Sequence, residues 1–184
     1  NPDGDAIGSL GALALVLEGM GKEVVAYCQD QAPGFLRFLP YSDRIAHELP
    51  SSDRFEVAVV LDCGELDRIG AAAHVVQRVQ KIIHIDHHSA GNDFGTINLV
   101  EPERSSTAEI LYDVFQAIPV EVSREAAENL YTAILTDTGS FRFANTTPRA
   151  LAIAGALVAQ GVEPDKVAGA VYDCMSPGRL RLLS

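Results

Sequence analysis

The chain has 184 residues, 47% of them hydrophobic and 21% charged, with a formal net charge of -11 and a pI of about 4.7. This is an ordinary globular composition, long enough to bury a core as one domain or a compact pair. The acidic balance excludes a broad basic stripe of the kind that neutralises a long duplex, so a nucleic-acid substrate must be short or held by another part of the protein. Cys28, Cys63 and Cys174 form an odd, widely spaced set without a CxxC pair. That argues against a disulfide framework or a thiolate zinc site and for a reduced, cytoplasmic setting. No apolar run approaches the ~20 residues of a membrane span. Nothing resembles a signal peptide, although a chain that begins at Asn1 is compatible with a trimmed targeting segment.

In chain order, Ala6 to Met20 places Leu10, Leu13, Leu17 and Met20 at helical spacing, with Gly19 and Gly21 as the stop. A strand is expected from Glu23 to Gln29. Glu56 to Leu61 and Lys81 to Ile85 are short, β-branched and nearly continuously apolar, as central parallel strands covered on both faces should be. Thr107 to Ala117 and Ser123 to Thr136 predict helices, the second capped by Ser123. Thr147 to Gln160 predicts another, with Pro148 near its first position and Gly161 ending it. Pro164 to Tyr172 and the residues from Pro177 predict two more. No internal repeat is present, and the alternation of strand and helix gives an α/β fold with a mainly parallel β-sheet flanked by helices.

The polar residues sort onto the ends of these elements. AVVLDCG puts Asp62 at the end of one strand, and KIIHIDHH puts Asp86, His87 and His88 at the end of another. Ligands of open α/β sheets gather at the carboxyl ends of strands. In NPDGDAIGSL, Asp3 and Asp5 precede a helix and fall in the same place if a strand leads into them, while Asp137 in AILTDTGSF closes a helix on a Gly-rich turn. Four carboxylates and at least one imidazole, each following an apolar element, are what a dinuclear metal site requires, because ions ~3.5 to 4 Å apart need bridging carboxylates and several terminal ligands. The DxD spacing lets two carboxylates leave one turn in different directions, with Gly4 removing side-chain crowding between them. Oxygen-rich coordination with an imidazole favours Mn²⁺, with Mg²⁺ or Co²⁺ as substitutes.

NPDGDAIGS, LDCG, DHH and LTDTGSFRF, in this order, resemble the four motifs of the DHH phosphoesterases, a family that includes RecJ-type exonucleases, family II inorganic pyrophosphatases and the nano-RNase and pAp phosphatase group. RSSTAEILYDVF and TDTGSFRFANTTP are most similar to the last group. The resemblance implies that Asp3, Asp5, Asp62, His87 and Asp137 bind two divalent metal ions, with Asp62 bridging them. Asp86 would fix the ring of a histidine, and His88 would face the substrate phosphate or leaving group. A further metal-binding His is implied two positions ahead of Asn1, before residue 1. The implied activity is hydrolysis of phosphodiester or phosphomonoester bonds in short oligonucleotides or 3'-phosphoadenosine 5'-phosphate, by in-line attack of a two-metal-activated hydroxide. The group also has a smaller C-terminal domain with a GGGH segment that grips phosphates. Residues 1–184 contain no such segment, so they are expected to be the catalytic DHH domain, with about 176–184 a helical linker. A homodimer is expected from the resemblance alone.

Beside the motifs, Arg142 follows the Asp137 turn, where its planar fork suits a phosphate or ribose-phosphate. Ser105, Ser106 and Thr107 open a helix whose free amides favour an anion, or simply cap it. Taken singly, Asp3, Asp5, Asp62 and Asp137 all have ordinary uses as caps or turn residues, and Arg142 reads equally as a surface ion-pair partner. His84 reads as a structural histidine inside its strand, His47 and His74 as exposed, and Cys63 as a small packed residue. The glycosylation pattern at Asn145 to Thr147 carries no meaning in a cytoplasmic protein. Competing functions are a pyrophosphatase or cyclic-dinucleotide phosphodiesterase on the same core, and a nucleotide-binding module that has lost catalysis. A haloacid-dehalogenase reading lacks the apolar strand directly before DxD and a Lys motif, and a dinucleotide-binding Rossmann reading lacks GxGxxG.

Overall fold

The computed structural model describes residues 2–49 and 55–173. Cys174, the helix expected from Pro177 and the linker expected at about 176–184 lie outside the described residues.

Helix α1 (Gly4–Gly19) begins where the Asp3 carboxylate caps it, accepting from the Ala6 amide at 3.0 Å. Leu10, Leu13 and Leu17, whose spacing identifies the helix, are only half-buried, and Met20 is 46% exposed. Ile7 and Val16 are buried instead, and the side that meets a neighbouring helix is the small one, Gly4, Gly8 and Gly11. Without side chains there, α1 lies directly against α4 (Arg124–Asp137): a Cβ at Gly8 would stand 2.6 Å from the Asn129 carbonyl oxygen.

Strands β1 (Val57–Leu61), β2 (Lys81–Asp86) and β3 (Ile97–Val100) form a parallel sheet in that order, with Val60 opposite His84 and Asp86 opposite Val100. The turn Leu66–Ala72 and the short α2 (Ala73–Val76) carry the chain from β1 to β2. The sequence reading did not anticipate β3, because INLV is too short to establish a period. The expected strand from Glu23 to Gln29 does not form among the described residues. That segment makes one bridge, Tyr27 with Ala46, through Cys28 N to Ala46 O at 3.1 Å and Ala46 N to Ala26 O at 2.8 Å. A strand exists only through sustained pairing, and β-branched composition alone does not supply it. A cavity of about 340 Å³ separates this segment from β1 and is lined by the unbroken run Val57 to Cys63. Successive strand residues point to opposite faces, so an unbroken run marks the edge of β1 rather than one of its faces.

Helices α3 (Thr107–Ala117), α4, α5 (Pro148–Ala159) and α6 (Pro164–Tyr172) lie where the periodicity predicts. Ser106, Ser123 and Thr147 cap the first three, accepting from the amides of Glu109, Ala126 and Ala150. Ile110, Leu111 and Phe115 of α3, Leu130 and Ile134 of α4, and Ile153 and Leu157 of α5 close the main core with Ile85 of β2. Burying this set fixes the first turn of α3 and the last turn of α4 beside the carboxyl ends of β1 and β2. Among the described residues, no helix is long and apolar enough to cross a membrane.

Candidate metal centre

Asp5 sits in the first turn of α1 and is completely buried. Its carboxylate accepts from Ser9 Oγ at 3.0 Å, from the Thr107 amide at 2.6 Å and from the Ala108 amide at 3.1 Å. The anion at the start of α3 is therefore a protein carboxylate, held by amides that the helix leaves unpaired. Contrary to the expectation of a substrate anion at this helix start, the Thr107 and Ala108 amides are taken by Asp5, and Ser106 caps the helix.

Asp62 leaves β1 with φ 54, a left-handed conformation that aspartate tolerates but that still costs free energy. Its Oδ1 accepts from the Thr107 hydroxyl at 3.2 Å. Asp137 ends α4 on a turn in which Gly139, Ser140 and Phe141 all take positive φ. Asn145 ties that turn back, its Nδ2 donating to the carbonyls of Asp137 at 3.2 Å and Ser105 at 3.0 Å.

His87 joins these elements. Its Nε2 lies 3.7 Å from Asp5 Oδ2, 3.6 Å from Asp62 Oδ1 and 3.5 Å from Asp137 Oδ2. Its Nδ1 faces the Arg104 carbonyl at 3.4 Å, which favours the tautomer with the proton on Nδ1 and a lone pair on Nε2. These separations are too long for hydrogen bonds, but donors sharing one small divalent cation at about 2.1 Å stand about 3.0 to 4.2 Å apart, from cis to trans. Two donor sets, Asp5, His87 and Asp137, and Asp62, His87 and His88, each lie within 4.8 Å of one another. Among the described residues, no lysine or arginine pairs with Asp5, Asp62 or Asp137. Buried carboxylates without a compensating cation repel, and the donor set fits divalent metal ions on that ground.

The same crowding appears in the acid–base balance. Burial, then the charge of Asp137, pushes Asp5 up to about 7 against the hydrogen bonds it accepts. Burial, then Asp5 and Asp3, pushes Asp62 up to about 8, opposed by His88 and His87. Asp137 is raised by burial, with His87 opposing and Asp3 adding to the rise. Asp3 thus acts on both neighbours by charge while its own Oδ1 caps α1.

Asp86 is buried and its Oδ1 organises the turn after β2, accepting from the amides of His87 at 2.8 Å and His88 at 3.2 Å and from His88 Nδ1 at 2.7 Å. The ring that it fixes is that of His88, which also lies 3.6 Å from Asp62 Oδ1 and is 44% exposed. Burial opposes charge on His88, but the Asp86 hydrogen bond and the charges of Asp86 and Asp62 outweigh it and raise its pKa. Arg142 stands apart from the carboxylates, exposed, with Nε donating to the Gly139 carbonyl at 2.7 Å. His84 is buried and stacked on Phe94, with Nε2 at 3.0 Å from the Cys63 carbonyl, and His47 and His74 are exposed. The sequence reading singled out neither Asn145 as a tether nor the Arg104 carbonyl; the only signal for either was proximity to a motif.

Fold and site together define an α/β domain that collects carboxylates and imidazoles from four chain segments near the carboxyl ends of parallel strands. The chain belongs to the DHH family, whose N-terminal-domain model matches residues 1–134. It is 39% identical over 163 residues to the bifunctional oligoribonuclease and PAP phosphatase NrnA of Thermus thermophilus, covering 89% of this chain and 48% of that protein. To the protein of the same description from Bacillus subtilis it is 27% identical over 175 residues, covering 94% and 54%. The chain spans about half the length of these curated relatives. Among solved structures, an exopolyphosphatase-related protein from Bacteroides fragilis matches with a TM-score of 0.90 and 32% identity, over 99% of this chain and 56% of that one. A Methanococcus jannaschii protein assigned to the family II inorganic pyrophosphatases matches with a TM-score of 0.66 and 21% identity, over 92% and 58%, a likeness of fold.

Proposed function

We propose that this chain forms the metal-binding part of a phosphoesterase that hydrolyses short oligonucleotides or 3'-phosphoadenosine 5'-phosphate. The observation that carries the reading is the placement of His87 Nε2 within 3.5 to 3.7 Å of carboxylate oxygens from Asp5, Asp62 and Asp137, three residues far apart in sequence. Asp3, Asp5, Asp62, His87 and Asp137 would hold two divalent cations, Mn²⁺ first by its preference for oxygen with some imidazole. When bound, such cations supply Lewis acidity toward a phosphoryl oxygen and lower the pKa of bound water.

The remaining roles belong to the chain itself. Asp62, at the end of β1, belongs to the set with His87 and His88, and on the family resemblance it would serve both ions. Asp86 holds the two histidines in register through three hydrogen bonds to one oxygen. His88, more exposed than His87 and kept basic by Asp86, faces outward where a leaving-group oxygen can take its proton. Arg142, anchored through Nε on the Gly139 carbonyl, offers its remaining donors to a phosphate or ribose-phosphate. The net charge of -11 favours small substrates over a long phosphate backbone. The names of the Thermus and Bacillus relatives support oligoribonucleotide and pAp substrates. A reduced, cytoplasmic setting belongs to the same reading, supported by free Cys28 and Cys63. A homodimer rests on the family resemblance alone.

The test is hydrolysis of a dinucleotide, 3'-phosphoadenosine 5'-phosphate and pyrophosphate by the intact protein, with Mn²⁺ and with EDTA, beside Asp62→Asn. Release of mononucleotide or phosphate that requires Mn²⁺ and drops at least about 100-fold in the variant is expected, more than loss of an outer partner typically costs. Pyrophosphate as the sole substrate would move the reading to the pyrophosphatase branch. Turnover that survives EDTA, or no turnover of any of the three, would overturn it.

A further inference from the structure

Three aspartates of the site are tied to one short stretch, Ser105 to Ala108, at the start of α3, two by their carboxylates and one by its backbone. Asp5 is held by the amides of Thr107 and Ala108 at 2.6 and 3.1 Å. Asp62 is held by the Thr107 hydroxyl at 3.2 Å. Asp137 is linked through Asn145, whose Nδ2 spans its carbonyl and that of Ser105. The stretch is itself fixed from below: fully buried Glu109 accepts from the Ser105 amide at 2.9 Å and the Ser105 hydroxyl at 2.6 Å, and pairs with Arg104 at 3.2 Å.

We propose that Thr107 is a positioning residue that sets the separation of two metal-binding carboxylates, its amide gripping Asp5 and its hydroxyl gripping Asp62. The inference rests on the reading of Asp5 and Asp62 as ligands. These two side chains come from α1 and from the end of β1, and their charges repel. Nothing in either element alone fixes the distance between them. A residue that donates to both does so, and one hydrogen bond from backbone and one from side chain of the same residue cannot drift independently. Thr107 is fully buried, and branching at Cβ restricts χ1, so its hydroxyl is aimed by packing rather than by solvent. The hydroxyl is also a donor that survives any pH at which the site could work, whereas a lysine there would compete with the cations for the same oxygens.

Side-chain variants isolate the Asp62 arm, because every one of them keeps the Thr107 amide on Asp5. Thr107→Val is nearly isosteric and removes the donor; Thr107→Ser keeps the donor and loses the methyl. The experiment is Mn²⁺ binding to the metal-free intact protein by calorimetry, with circular dichroism on each variant and Asp62→Asn in parallel. Thr107→Val should weaken one Mn²⁺ site by about 10- to 100-fold, the usual effect of losing an orienting partner, with the circular dichroism spectrum unchanged and Thr107→Ser within about threefold of wild type. Wild-type affinity in Thr107→Val overturns the inference while a weakened Asp62→Asn leaves the ligand reading standing. If Thr107→Val does not fold, a Thr107→Ser variant weakened as much as Asp62→Asn overturns it. Absence of Mn²⁺ binding by the wild type overturns both readings together.

Discussion

Without divalent cations this protein should become less stable as pH rises, and Asp62 should be a main cause. The folded chain holds Asp5 at about 7 and Asp62 at about 8, against an ordinary value of 3.8. A carboxyl raised on folding keeps a proton that the unfolded chain has already released, so stability falls between the unfolded and folded values and levels off above them. Two groups at about 1.4 kcal/mol per pH unit give at most about 5 kcal/mol between pH 5 and 7; relaxation around a coupled pair brings this to about 2 to 3 kcal/mol. For a chain of this size that is roughly 5 to 10 °C in Tm. His88 acts in the same direction, since a raised histidine contributes stability below its ordinary value and loses it as pH climbs through the raised one. Glu18 and Glu163, held below the usual carboxylate range by Arg44 and Lys166, lose their contributions only at lower pH. The assay is thermal melting of the intact protein in EDTA at pH 5, 6 and 7, repeated with saturating Mn²⁺ and with Asp62→Asn. Wild type in EDTA should lose Tm across this range and regain it with Mn²⁺. Asp62→Asn, unable to ionise, should melt at or above wild type in EDTA at pH 7, show a shallower slope and gain little from Mn²⁺. A flat or rising wild-type profile in EDTA, or an unaltered slope in the variant, would refute the electrostatic reasoning.

Other outcomes follow from packing and capping. Gly8→Ala puts a methyl 2.6 Å from the Asn129 carbonyl across the α1–α4 contact and should cost about 1 to 3 kcal/mol in urea unfolding despite better helix propensity. Ser123→Ala removes the side chain that caps α4 at the Ala126 amide and should cost about 1 kcal/mol, read from the same denaturation curves. Arg142→Ala should raise KM for 3'-phosphoadenosine 5'-phosphate about tenfold, on the order of 1.4 kcal/mol, while leaving Mn²⁺ affinity unchanged; an unchanged KM would remove Arg142 from substrate binding.

The sequence by itself determined the helices α1 and α3 to α6 and two of the three strands, and it named acidic and imidazole residues that the structure gathers in one place. EVAVVL and KIIHI announce parallel strands, although among the described residues β1 proves to be an edge strand with Val57 42% exposed rather than a central one covered on both faces. Ser123, Thr147, Pro148 and Gly161 mark helix ends, because capping and periodicity are local effects written in adjacent residues. The acidic and imidazole residues are legible for the same reason: they interrupt or end apolar runs. What only the tertiary structure decided depends on partners far along the chain. The segment from Glu23 to Gln29 has the composition of a strand but, among the described residues, pairs only at Ala46, and the four-residue β3 is a strand only because β2 lies beside it. The large residues of α1 reveal the helix, yet its glycines choose the packed side, since close approach to α4 is set by what Asn129, Ala133 and Thr136 present there. The start of α3 looks like a cradle for a substrate anion until Asp5, 102 residues earlier in the chain, is seen to fill it. Long-range pairing reads no local code: a free helix amide and one already satisfied by a distant carboxylate have the same sequence around them.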